Sequence, residues 1–416
     1  MPNLQLGILR ESKTPPDLRT PLVPEDCQQL MNRFDGLRIV VQPSNFRCFS
    51  DELYLEAGCQ IAENLEGSTL ILGIKEVAQS SLAPGRSYAF FSHTIKAQPN
   101  NRSMMQHMVR EGITLFDYEL MTDDSGRRTV AFGHWAGIVG AWHALRMRCL
   151  RFGKDSLPTA AQVGSYVGLQ ALAKHLALDP CLFLLCGSGR VGQGVLQILQ
   201  DAGIQSMEPS EILKSPEQAW SSLYDKPAYV LLESKHMVQS RDGGPFDEAA
   251  FYQNPAAYQS AMAPFLVRGD LLINSIYWDP RGPAHFEASD IQNPSFRVSQ
   301  IADISCDIQG SVPITTRATT IQEPYYGVSR THLTEIPPLM DDGVDLMAVD
   351  NLPCELPREA SGEFSRALSQ HFLVPFLASL HADPQAELPP NLCRARLLDH
   401  GALHPLLQHL TAYVGT

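Results

Sequence analysis

The stretch Cys181–Gly194, C-L-F-L-L-C-G-S-G-R-V-G-Q-G, constrains this chain more than any other. A short apolar run, Leu182–Leu185, fits a strand buried on both faces. It meets three glycines spaced as Gly187-x-Gly189-x-x-Gly192, and then Val195, Leu196, Ile198 and Leu199 at helical spacing. Strand, tight turn and helix in that order make a dinucleotide cradle. The first glycine lets the chain turn, the second lets the backbone approach a pyrophosphate, and the third lets helix and strand pack closely. The N–H groups that open the helix then receive the phosphate charge. Gly187, Ser188, Gly189, Arg190, Val191 and Gly192 are therefore candidate cofactor-binding residues. An ordinary glycine turn has the same spacing, so the flanking pattern carries the reading. Glu208 closes a predicted strand, Ile204–Glu208, about 20 residues on, where a ribose-binding acid would sit, although a solvated strand-end acid fits this position equally well.

At 416 residues the chain exceeds one small core, and two domains are expected. No run of about 18 apolar residues is present to span a bilayer. Arg10, Glu11 and Lys13 stand where a signal peptide would need its apolar stretch, so a cytoplasmic protein with no membrane partner is expected. A net charge of -13 without a basic stripe argues against a nucleic-acid surface. Nine cysteines without C-x-x-C pairs suggest neither a zinc site nor a disulfide framework, and no metal is expected.

Read in order, Leu4–Arg10 is a strand, Glu25–Met31 a helix and Leu37–Gln42 a strand. Helix Asp51–Ala57, strands Thr69–Gly73 and Ser87–Phe91, helix Asn101–Glu111 and strand Thr114–Asp117 follow. A long helix rich in small residues, Trp135–Leu150, carries Gly137, Gly140 and Ala141 on faces suited to tight packing. After a linker around 153–158, a second helix runs through Leu176 to the glycine turn. Tyr229–Leu232, Leu271–Tyr277 and Ser299–Ile304 complete a second sheet, and Ala360–Leu380 reads as an amphipathic helix before a basic, His-containing tail. The expected fold class is α/β, with parallel sheets in two lobes flanking a cofactor cleft. Residues 1–130 form a catalytic domain completed by C-terminal helices in 351–416, and 131–350 form the dinucleotide-binding domain.

Ligands of parallel sheets bind at the carboxyl ends of the strands. Leu70–Ile74 runs into Lys75-Glu76, and Tyr88–Phe91 runs into Ser92-His93-Thr94-Ile95-Lys96, so two strands present Lys75, His93 and Lys96 together. Any one of these alone reads as a solvated loop residue; three at neighbouring strand ends weigh evenly against that. A lysine beside another cation and partly desolvated can act as a base, and histidine does so near neutral pH without help. Arg19, Arg127 and Arg128 are candidates for gripping carboxylates, although a surface arginine is the commoner outcome. Glu119 could orient an amine or a lysine base.

These residues also carry a family likeness. Gly73-Ile-Lys75-Glu76, Tyr88-Ala-Phe-Phe-Ser-His93-Thr-Ile-Lys96-Ala-Gln98, Asp117-Tyr-Glu119 and Arg128-Thr-Val-Ala-Phe132 resemble the lysine-forming saccharopine dehydrogenases and the lysine-ketoglutarate reductase half of aminoadipic semialdehyde synthase. The likeness continues through Ile273-Asn-Ser-Ile-Tyr277, Ala302-Asp-Ile-Ser-Cys-Asp307 and Val349-Asp-Asn-Leu-Pro353, covering most of Leu6–Leu377. It implies two Rossmann-like domains related to alanine dehydrogenase and transhydrogenase. It also implies oxidation of saccharopine to lysine and 2-oxoglutarate by a nicotinamide cofactor, or the reverse, in lysine biosynthesis or degradation.

By position, the resemblance makes Lys75 the base for the amine proton and His93 the group that activates water. Arg19, Lys96 and Arg128 would hold substrate carboxylates, with Glu76, Glu119 and Phe132 also in the substrate site. Ile276, Tyr277, Asp303, Asp307, Asn351, Leu352 and Pro353 would join the glycine turn around the cofactor. Glu208-Pro209 resembles the NADP-using reductase half, yet an acid there should repel a 2′-phosphate. Gly243-Gly-Pro-Phe-Asp247 resembles the NAD-dependent fungal enzymes, so NAD is expected, with NADP the alternative. An alanine dehydrogenase-like enzyme aminating a 2-oxo acid, and a nucleotide-binding regulator without catalysis, are the rival readings. A monomer or small homo-oligomer is expected.

Overall fold

The computed structural model describes residues 4–14, 16–154, 156–217, 220–382 and 387–415. The chain divides into two compact units: Met1–Phe132 with Pro357–Thr416, and Gly133–Leu356. In the first unit, β1 (Gln5–Ile8), β2 (Arg38–Val41), β3 (Gln60–Ile61), β4 (Leu70–Leu72), β5 (Ser87–Phe90) and β6 (Thr114–Asp117) are parallel, in the order β3-β2-β1-β4-β5-β6. This is the doubly wound order, in which winding reverses between β1 and β4 and opens a ligand crevice beyond the strand ends. β1 and β4 are buried along their whole length and β5 from Tyr88 on, which is why they read as continuous apolar runs rather than alternating ones. Helix Arg102–Arg110 turns Met104, Met105 and Met108 into this core.

The second unit holds β7 (Leu182–Cys186), β8 (Gln205–Met207), β9 (Ala228–Leu232), β10 (Val238–Ser240), β11 (Tyr258–Ser260), β12 (Leu271–Asn274), β13 (Gln300–Asp303), β14 (Tyr325–Ser329), β15 (Glu335–Ile336) and β16 (Gly343–Met347). Its main sheet is ordered β15-β14-β16-β13-β12-β7-β9-β8, parallel from β8 to β16, with β14 and β15 added antiparallel. β10 and β11 pair as a separate ribbon. The small-residue helix extends over Gly133–Arg151 and packs on helix Arg190–Asp201 at backbone contact. A Cβ on Gly137 would fall 2.0 Å from the Val191 carbonyl oxygen, and one on Gly194 2.1 Å from that of His134. The next expected helix is two short ones, Ala160–Val163 and Tyr166–Ala173, because Gly164 turns left-handed (φ +77°) and Ser165 starts a new helix by accepting from the Gly168 N–H.

The chain then returns to the first unit. Pro357–Leu368, the π-turn Ser369–Leu373 and Val374–Ala382 replace the single expected helix. The tail read as helical and basic instead supplies β17 (Arg396–Asp399), antiparallel to β6, and β18 (Ala402–Leu403) beside it. Four- and two-residue strands are too short to show a period, so this edge was invisible to pattern reading. Both sheets are therefore mixed, though mostly parallel. Among the described residues no helix is long and apolar enough to cross a membrane.

Candidate functional site

The chain segments that leave β4 and β5 stay together past the strand ends, where the Phe91 N–H donates to the Ile74 carbonyl (3.0 Å). One segment carries Lys75 and Glu76 and the other His93. Glu11, just beyond β1, accepts from the N–H groups of Ile74 (2.6 Å) and Lys75 (3.2 Å), tying the backbone under Lys75 to the centre of the sheet. Burial, and then Asp17, push the Glu11 carboxyl up to about 7. Glu76 Oε1 meets His93 Nδ1 at 2.6 Å and accepts from Asn101 Nδ2 at 3.2 Å, while Oε2 pairs with Lys13. Burial opposes the Glu76 charge, but His93 and Lys13 more than offset it and hold the carboxyl well below the ordinary range. An ionised carboxylate only accepts, so His93 Nδ1 donates this hydrogen bond. The Phe91 ring lies parallel to the imidazole, 6.0 Å between centroids and 12° between planes.

The other predicted substrate residues are distributed differently. Arg19 is buried, with Nε and Nη2 on Asp17 (2.9 and 2.6 Å) and its guanidinium 4.2 Å from the Phe132 ring centre. Phe132 is stacked in turn on Phe364 at 4.3 Å. The Arg19 fork expected to clamp a substrate carboxylate thus already clamps one within the chain. Arg128 Nη2 donates to Glu119 Oε1 (2.9 Å), beyond the end of β6, and Lys96 is exposed in the turn after His93. Glu76 and His93 come together beyond the ends of adjacent strands, with Lys75 beside Glu76 in the chain. Glu11, Lys13, Asp17, Ser92, Asn101 and Asp117, which hold these groups, were not singled out from the sequence, where isolated polar residues in turns carry no pattern.

In the second unit the glycine turn has the form expected of a phosphate cradle. Gly187 adopts φ +98°, and a Cβ on Gly192 would lie 2.1 Å from the Gly187 carbonyl oxygen, which fixes the close approach of helix and strand. A Cβ on Gly189 would meet nothing within 4 Å, so the backbone there is open to a ligand where helix Arg190–Asp201 begins. Ser188 and Arg190 are exposed on its rim, and Val191 packs towards Gly133. These residues fit a dinucleotide pyrophosphate.

Three expectations around this cradle change. Glu208 follows β8, which is the outermost strand, and stands at the start of the short helix Pro209–Lys214, its backbone N–H donating to Glu211 Oε2 (3.0 Å). The strand beside β7 is β9, paired Cys186↔Leu232, and the Gly187 N–H donates to the Leu232 carbonyl (2.9 Å). The acid that follows the neighbouring strand is Glu233, ion-paired with Lys235 at 2.7 Å. Spacing alone pointed to Glu208 because β8 precedes β9 in the chain, although it lies outside β9 in the sheet. Asp303 is wholly buried, its oxygens taking Asn274 Nδ2 (2.8 Å), Ser305 Oγ (2.7 Å) and Thr315 Oγ1 (2.7 Å), so it organises the loop after β13 rather than facing a ligand. Leu352 and Pro353 are also buried, Leu352 near Gly140. Ile276, Tyr277, Asp307 and Asn351 keep exposed surface, Tyr277 most of all.

Residues 7–139 match the family described as alanine dehydrogenase/PNT, N-terminal domain. An L-alanine dehydrogenase of known structure resembles the chain with a TM-score of 0.66 at 17% identity, over 99% of this chain and 100% of that one. The fold is thus of the alanine dehydrogenase and transhydrogenase class. In sequence the chain is 33% identical to alpha-aminoadipic semialdehyde synthase of Arabidopsis thaliana, over 97% of this chain and 41% of that protein. It is 27% identical to the NAD(+), L-lysine-forming saccharopine dehydrogenase of Emericella nidulans, over 88% of this chain and 90% of that protein. Over most of its length the chain is thus similar to lysine-forming saccharopine dehydrogenases and to aminoadipic semialdehyde synthases, and it spans about two fifths of the length of the synthases it matches.

Proposed function

We propose that this chain is an NAD-dependent saccharopine dehydrogenase that forms lysine and 2-oxoglutarate, or runs the reverse condensation. The observation that carries the reading is the Lys75–Glu76–His93 cluster at the ends of adjacent parallel strands, with Glu76 bridging His93 and Lys13. A nicotinamide cofactor bound at the glycine turn supplies a hydride acceptor. Lys75 takes the proton from the secondary amine as the neighbouring C–H gives up its hydride, leaving an imine on the substrate. His93 Nε2 then takes a proton from water as the oxygen adds to the imine carbon, while Glu76 steadies the charged imidazole through Nδ1. Lys75 gives its proton to the nitrogen as the oxygen adds, and return of the His93 proton to that nitrogen, with the hydroxyl proton passing to Lys75, then breaks the C–N bond and releases the lysine amine and the 2-oxoglutarate carbonyl.

Saccharopine bears three carboxylates, and Lys96 and Arg128 are the exposed cations near these groups in the chain; Glu119, on Arg128, suits a substrate ammonium. Arg19, locked on Asp17, supports the site from behind through Phe132. Glu233, next to the glycine turn, is the acid suited to the ribose hydroxyls of NAD, and its charge disfavours a 2′-phosphate. Purified protein given saccharopine with NAD should produce NADH together with lysine and 2-oxoglutarate, faster than it reduces NADP. Absence of cofactor reduction with saccharopine across neutral to alkaline pH, or turnover of pyruvate with free ammonia instead, overturns the reading.

A further inference from the structure

His93 occupies the left-handed backbone region at φ +48°, where a side-chain-bearing residue is disfavoured by about 1–2 kcal/mol. Contacts on both flanking peptides hold it there. The Ser92 N–H donates to Asp117 Oδ2 at 3.2 Å, the Ser92 hydroxyl bonds the same oxygen, and Thr94 Oγ1 lies 2.6 Å from Ser92 Oγ. From the other side Asn101 Nδ2 reaches the carbonyl oxygens of Ser92 (3.1 Å) and His93 (3.4 Å). Ser92, Thr94 and Asp117 are all fully buried. Phe90↔Asp117 ends the parallel pairing of β5 with β6, and beyond it the Asp117 carboxylate takes the place of the next ladder acceptor. Its second oxygen, Oδ1, accepts from the Glu119 N–H at 2.7 Å. One carboxylate therefore fixes the turn under His93 and the turn under Glu119.

We propose that Asp117 is a positioning residue for the reaction: through Ser92 it holds His93 in the left-handed turn that presents Nδ1 to Glu76 and leaves Nε2 for water. This rests on the reading of His93 as the group that activates water. An amide in place of the carboxylate has one accepting oxygen and one donating nitrogen. Whichever way Asp117→Asn turns, one of the two backbone N–H groups loses its acceptor, and either the His93 or the Glu119 turn is released. Ser92→Ala is the milder cut, since it removes only the hydroxyl leg and keeps the backbone bond to Asp117.

The test measures both variants in the full chain. A displacement of His93 by a fraction of an ångström to an ångström predicts a loss of about 10- to 100-fold in kcat for saccharopine oxidation in Asp117→Asn, and a smaller loss in Ser92→Ala. The KM for NAD should not change in either. Nitrogen-15 NMR of the imidazole, assigned by comparison with His93→Gln, should show a single Nδ1–H form in the parent and a tautomer mixture in the variants. Replacing Thr94 by Ser, which keeps the hydroxyl, should preserve both readouts, and Thr94→Val should not. Unchanged kcat, or an unchanged His93 nitrogen pattern in folded Ser92→Ala and Asp117→Asn, overturns the proposal. Should the parent protein leave saccharopine untouched, the reaction assigned above fails, and the nitrogen pattern still decides whether Asp117 holds His93.

Discussion

The two inner glycines of the cofactor turn make a paired experiment with opposite outcomes. A methyl added at Gly192 would stand 2.1 Å from the Gly187 carbonyl oxygen, 3.0 Å from its carbon and 3.3 Å from Ser275 Oγ. None of the first two can rotate away, because both are backbone in a turn whose φ of +98° is already specialised. Helix Arg190–Asp201 must therefore move off β7 by roughly an ångström, an overpacking change of about 1–3 kcal/mol. In a unit of this size each kcal/mol lowers the melting temperature by about 2–4 °C. Gly192→Ala should melt several degrees below the parent by calorimetry, with or without cofactor. At Gly189 the added methyl meets nothing within 4 Å, so stability should stay within about 0.5 kcal/mol of the parent. The methyl there occupies the approach of a phosphate to the helix N-terminus. Loss of one charge-assisted N–H contact, about 1.5–3 kcal/mol, weakens NADH binding about 10- to 100-fold in a fluorescence titration. Parent-like NADH affinity in a stable Gly189→Ala protein would refute the assignment of this turn to the pyrophosphate.

Further outcomes follow from the first unit and from β9. Lys75→Met should lower kcat by about two to four powers of ten while leaving NADH binding intact, if the lysine takes the amine proton; unaltered turnover removes it from the mechanism. Glu11 is raised from 4.5 to about 7, so its neutral form favours the folded state, and its contribution is full below pH 4.5 and lost as pH rises through 7. That amounts to at most about 3 kcal/mol. Denaturant midpoints of Glu11→Gln should fall less steeply than those of the parent between pH 4.5 and 7, and parallel curves contradict this. Glu233→Ala should raise the KM for NAD and narrow its advantage over NADP, whereas Glu208→Ala should change neither; the reverse ranking restores Glu208 to the ribose.

The alternation of apolar strand and amphipathic helix, the glycine turn and the polar residues after Leu72 and Phe91 were legible because each is a local pattern. Lys75 and His93 stood out as charges closing apolar runs. What sequence could not supply was lateral order. Nothing in Gln205–Met207 or Ala228–Leu232 tells which lies beside β7, and on that difference alone the acid proposed for the ribose is Glu233 rather than Glu208. Arg19 looked like an open grip because its partner, Asp17, is also the kind of residue found in any turn. Asp303 read as a ligand contact because its three neutral donors come from Asn274, Ser305 and Thr315, scattered over 42 positions.

The pairing of Arg396 with Phe116 joins residues 280 positions apart. A ribosome-bound chain has already emitted all of Gly133–Leu356 before β17 exists, so the sheet begun first is finished last. Until then β6, whose final residue is Asp117, is an unpaired edge, open to other chains. Premature termination anywhere between residues 357 and 395 would thus leave the strand that steadies His93 as the exposed flank of an incomplete sheet, and make truncated products of this gene sticky before they are inactive.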